Sequence, residues 1–138
     1  MKGRSVLAVV AGLVATAALS IAADQALHSA GVYPPWGARM SDGLFGLATA
    51  YRVAFTVLGG WITARLAPAR PMRHAAWLAA IGTLLGLAGL AVAVANPDLG
   101  PRWYPVALVV TAAPCVLLGA WLRARGAAPA GAGAGDPA

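Results

Sequence analysis

Four uninterrupted apolar stretches constrain this chain more than any other feature. They run from about Ser5 to Ala23, Leu44 to Leu66, Ala75 to Ala95 and Tyr104 to Leu122. Each is long enough to cross a ~30 Å hydrocarbon core, which takes ~20 residues of helix. Within lipid, only helices and closed barrels satisfy every backbone N–H and C=O. The stretches are continuous rather than alternating, so they predict helices over about residues 5–29, 44–66, 74–95 and 103–123. Charged residues make up only 10% of the chain, against 60% hydrophobic. A soluble domain carries roughly 25% charged residues. The expected fold is therefore all-α, a transmembrane four-helix bundle occupying residues 1–125. Pro- and Gly-containing connectors, "GVYPPWG", "APARP" and "NPDLGP", separate the helices. The final segment, residues 126–138, reads "GAAPAGAGAGDPA" and predicts a disordered tail.

Positive charge orients the bundle. Lys2 and Arg4 precede the first helix, Arg65, Arg70 and Arg73 cluster between the second and third, and Arg123 and Arg125 follow the fourth. The other two connectors hold only Arg39 and Arg102, each with a nearby acid, Asp42 or Asp98. The positive-inside rule then places both termini and the second connector in the cytoplasm. Aromatic residues fit the same frame, with Tyr33, Trp36, Trp103 and Tyr104 at the outer interface and Trp61, Trp77 and Trp121 at the inner one. The net charge of +6 does not imply nucleic acid, because the basic residues cap apolar runs and build no basic face. The small-x-small sequence "SIA" before Ala23 fits a signal-peptide cleavage site. The first apolar run nonetheless exceeds the ~7–15 residues of a signal core, so a retained anchor is expected.

Arg52 is the anomaly inside this pattern. It falls about ~12 Å into the second run from its outer end, at 1.5 Å of rise per residue. An arginine at a helix centre costs ~2.5–3.5 kcal/mol on insertion scales, less where its stem snorkels toward the headgroups. Asp24 ends the first run at the same face, and antiparallel neighbours would bring Asp24 and Arg52 together; Asp42 is the rival partner. Thr49, Arg52, Thr56, Gly59 and Thr63 recur at spacings of three and four, so they share one small, polar helix face. Gly12, Thr16, Ser20, Asp24 and His28 form a similar ridge on the first helix. Small and polar ridges are what membrane helices use to pack. Ala75, Ala79, Gly82, Gly86, Gly89 and Ala93 make a small-residue seam on the third helix, and Thr111, Cys115 and Gly119 align on the fourth. Two readings of Arg52 stand: a charge pair that pins two helices, or a contact for an ion, headgroup or substrate.

Chemistry is sparsely signalled. His28, Arg39 and Asp42 join Asp24 in the only polar constellation, on the outer side. A histidine and two aspartates can hold a cation or move a proton. No HExxH-type spacing or phosphate-binding glycine loop accompanies them, and the chain contains no glutamate. The expectation is no catalytic residue, no metal and no cofactor. Cys115, the single cysteine, reads as a small buried hydrophobe, and His74 as a headgroup contact.

The stretch from "PPWGARMSDGLFGLATAYR" to "FTVLGGWITARLAPARPMRHA", residues 34–75, resembles small four-helix bacterial inner-membrane proteins of unknown function. The excess of Arg over Lys and the abundance of Ala and Gly suit a high-GC bacterial gene. The length and helix number are also similar to the small multidrug resistance transporters, which dimerise. Those transporters depend on a glutamate in the first helix; here the only acid of that helix is Asp24, at its outer end. The resulting expectation is a non-enzymatic accessory or interaction protein of the bacterial inner membrane. Its partners would be the lipid bilayer and either a second copy or another membrane protein, with no nucleic acid. The alternative is a small oligomeric transporter or channel lined by Arg52 and the stripe of Thr49, Thr56 and Thr63.

Overall fold

Glycines decide how these helices meet. In a computed structural model describing residues 2–127, the chain forms α1 (Lys2–Ser29), α2 (Asp42–Leu66), α3 (Pro71–Ala95) and α4 (Trp103–Gly126). A single 3-10 turn, Pro97–Leu99, precedes α4, and no strand occurs among the described residues. All four helices are long and apolar enough to cross a membrane.

The helix ends follow local rules. Gly31 adopts φ +72° just past α1. The Val32 N–H then reaches back to the Leu27 carbonyl, and the Gly31 N–H to that of His28. This is a Schellman closure, which a left-handed glycine permits. Helix α2 starts at Asp42, earlier than the expected 44, and the acid at its first turn suits the positive end of the helix dipole. Helix α3 starts at Pro71, because proline loses nothing at a position whose N–H has no helical partner. Helix α4 continues through Gly126, the first residue of the expected tail, and residues 128–138 of that expectation lie outside the described residues.

Helix α2 is the hub. It packs against α1 on one side and α4 on the other, α3 leans mainly on α4, and α1 and α4 occupy opposite corners. The adjacent glycines of "TVLGGWITA" explain how one helix serves two neighbours, since consecutive residues point about 100° apart. A Cβ on Gly59 would lie 2.1 Å from Thr16 Oγ1 and 2.9 Å from the Gly12 carbonyl oxygen of α1. One on Gly60 would lie 2.1 Å from the Val116 carbonyl oxygen of α4. The approach is reciprocal: a Cβ on Gly12 would meet Thr63 Oγ1 at 2.0 Å, and one on Gly119 the Val57 carbonyl oxygen at 1.8 Å. Backbones this close gain van der Waals contact, which drives helix association where lipid removes the hydrophobic difference. The core is correspondingly small-grained: Ala64, Ala75, Leu78, Ala79, Val116 and Ala120.

The seam expected on α3 is only partly used. Ala75 and Ala79 are buried, and Gly86 lies against Val109 of α4. A Cβ on Gly82 or Gly89 would meet nothing within 4 Å, although Gly82 lies between Ala79 and Gly86 along the helix.

Candidate functional site

An ionic and phenolic network joins three helices near the end of the bundle opposite the chain termini. Asp24 projects from α1 a little more than one turn before the helix stops, and Arg52 from α2. Arg52 Nη2 lies 2.5 Å from Asp24 Oδ2. The other carboxylate oxygen accepts from the Tyr51 hydroxyl, and Arg52 Nη1 donates to the Tyr104 hydroxyl of α4. Tyr33, from the connector after α1, donates to the Tyr51 hydroxyl at 3.2 Å. The guanidinium carbon also sits 5.5 Å and 5.8 Å from the Tyr51 and Tyr104 ring centroids, within cation–π range.

The network is electrically neutral, with one acid and one base. Their side chains are 22% and 25% exposed, so neither is fully open to its surroundings. Aromatic packing closes the rim of this end. Phe45 stacks at 5.0 Å on Tyr104, and Gly100 lets Phe45 approach so closely that a Cβ there would meet its ring at 2.4 Å.

The remaining predicted positions fall elsewhere. Asp42, the rival partner, does not reach Arg52; its carboxylate accepts from the Trp103 indole N–H at 3.4 Å. Arg39 is exposed in the connector. His28 sits between Tyr33 and Trp36, with centroids 5.3 Å and 3.7 Å away, and its Nδ1 is buried without a hydrogen-bond partner. Among the described residues no three His, Cys, Asp or Glu side chains come together as a metal site. The threonine stripe is directed inward on its own helix. Thr49 donates to the Phe45 carbonyl and Thr56 to the Arg52 carbonyl. Thr63 is fully buried against Gly12, its hydroxyl unpartnered. Thr16 of α1 is the bridge between ridges, lying within hydrogen-bond distance of both the Gly12 and the Phe55 carbonyls.

Tyr33, Tyr51 and Tyr104 are the network members that sequence reasoning missed. Tyr33 and Tyr104 were assigned to the interfacial belt, yet Tyr33 is only 4% exposed. One signal was available: Tyr51 precedes Arg52, and Tyr104 opens α4 at the same end of the bundle. No family model, curated protein or solved structure matches this chain.

Proposed function

We propose that this chain is a multi-pass integral protein of the bacterial inner membrane, with both termini cytoplasmic, acting as a non-enzymatic accessory or interaction protein. The observation that carries this reading is the neutral Asp24–Arg52–Tyr104 network, which ties α1, α2 and α4 to one another. A charge engaged inside the bundle serves assembly, and it leaves the apolar outer faces of the helices to meet lipid and other proteins. Those faces are broad: Val6, Leu7, Val14 and Ile21 on α1 and Leu84, Leu85, Val92 and Val94 on α3 are all exposed. The charge bias of the connectors and termini supports the orientation. The resemblance of residues 34–75 to small inner-membrane proteins supports the compartment.

The test is in-cell crosslinking followed by purification in mild detergent. The expected product is a discrete complex, either of two copies or with one other membrane protein. A strictly monomeric protein with no crosslinked partner overturns the interaction reading. So does selective ion or drug flux in liposomes that Arg52→Gln abolishes, which would instead make Arg52 part of a transport path.

A further inference from the structure

We propose that the cytoplasmic end of the α1–α3 cleft is a binding site for an anionic phospholipid, a reading that rests on the membrane topology proposed above. A groove of about 690 Å³ opens between these helices. Its walls have two distinct ends. Val6, Val9 and Val10 of α1 and Trp77 and Ile81 of α3 line the apolar part, and Arg70, Arg73 and His74 gather at the other.

Three observations converge on one occupant. First, the groove has the polarity of a phospholipid: an apolar trough fits an acyl chain, and a cationic mouth fits a phosphate. Basic pockets between membrane helices on the cytoplasmic side bind anionic headgroups in this way. Second, the cations of the mouth lack acidic partners. Among the described residues the one ion pair is Asp24–Arg52, and both Arg70 and Arg73 are exposed. Two other arginines of this end differ: Arg65 lies over Trp61 and Arg125 over Trp121, at 5.4 Å and 4.2 Å from the ring centroids. Third, Arg70 is the single non-glycine residue with positive φ among those described, at +47°. A left-handed conformation is unfavourable for a residue with a Cβ. That conformation turns the chain into α3 at the mouth of the groove, and the Arg70 carbonyl lies 3.2 Å from His74 Nδ1. Trp77 flanks the site 60% exposed, at the level where indoles meet headgroups.

The test uses native mass spectrometry on the full chain in mild detergent, equilibrated with phosphatidylglycerol or phosphatidylcholine of matched acyl chains. The wild-type protein is expected to retain phosphatidylglycerol preferentially. Arg70→Gln with Arg73→Gln should weaken that binding about 30-fold, roughly 2 kcal/mol. Val10→Trp, which fills the trough, should weaken it as well. Arg65→Gln with Arg125→Gln removes the same charge outside the groove and should leave it intact. Equal retention of the two lipids overturns the proposal, as does an equal loss in the two charge-removal variants. Displacement by inorganic phosphate, with Val10→Trp binding normally, overturns it in favour of a headgroup-only site. Carbonate extraction and labelling of Arg73→Cys on a Cys115→Ala background separate the two levels. A chain that is extracted, or labelled from the outer side, fails the topology; one that is retained and labelled from inside, yet shows no lipid preference, fails only this proposal.

Discussion

Arg52 sits about 15 Å along α2 from Asp42, at 1.5 Å per residue, where an unpaired cation would be costly. Its two terminal nitrogens instead have partners on two other helices, Asp24 and Tyr104. Removing either charge leaves the other stranded, so the single variants should be worse than their combination suggests. We expect Arg52→Ala and Asp24→Ala each to destabilise the protein in mild detergent, with a coupling of about 1–2 kcal/mol in the double-mutant cycle. Additive effects would separate the two charges energetically. Tyr104→Phe should cost about 0.6 kcal/mol, the typical value for a hydrogen bond between membrane helices. Thr63 makes a contrasting case, because its hydroxyl is buried with no partner. Thr63→Val keeps the shape and removes that unsatisfied group, so thermal unfolding should show no loss and a gain of up to about 1 kcal/mol. A clear loss would reveal a hydrogen bond to the Thr63 hydroxyl. At this scale the pairing of Asp24 with Arg52 was legible as one of two candidates, because sequential antiparallel helices bring their facing ends together, and Asp42 was the rival. The tyrosines were not, since interfacial tyrosine is common and nothing in the spacing shows which ring turns inward.

At the scale of the element, α2 works because two glycines in succession open two sides of one helix. A side chain at Gly119 would have to occupy space 1.8 Å from the Val57 carbonyl oxygen, and backbone cannot move aside cheaply. Gly119→Ala should therefore push α2 and α4 apart and destabilise by about 2 kcal/mol or more, within the range and upper tail of overpacking costs. Gly82→Ala is the matched control, since nothing lies within 4 Å of its added methyl. Relief of glycine's poor helix propensity should make it neutral or stabilising, by up to about 1 kcal/mol. Thermal unfolding of the two variants in the same detergent decides the sign. Gly59 was legible as part of the polar face. Gly60 was not, because a face defined by spacings of three and four from Thr49 excludes it, and its partner lies on a helix distant in sequence. The α3 seam illustrates the converse. An alanine- and glycine-rich helix offers small-residue ridges on several sides, and spacing does not say which ridge a neighbour uses.

At the scale of the whole molecule, the testable property is its placement in the bilayer. A reporter fused after Ala138 and another in the connector around Arg39 should report opposite sides, cytoplasmic and external. Carbonate washing should leave the chain in the membrane fraction. Agreement between the two reporters would overturn the three crossings expected between Arg39 and the C-terminus. A ligand in the α1–α3 cleft would touch the two contacting helices whose mutual packing is thinnest.

The sequence by itself determined the number of helices, their approximate ends and their apolar character, because backbone hydrogen bonding in an apolar solvent leaves few alternatives to a helix of about 20 residues. It also put Asp24 and Arg52 forward as partners, with Asp42 the rival, from the antiparallel order of the first two helices. Tertiary structure decided which ridge met which: that Gly59 serves α1 and Gly60 serves α4, that Asp42 takes Trp103 instead of Arg52, and that Tyr33 is enclosed. Those outcomes depend on helix rotation and on crossing points. Where lipid tails are as apolar as the side chains, both are set by close steric fit between residues far apart in the chain.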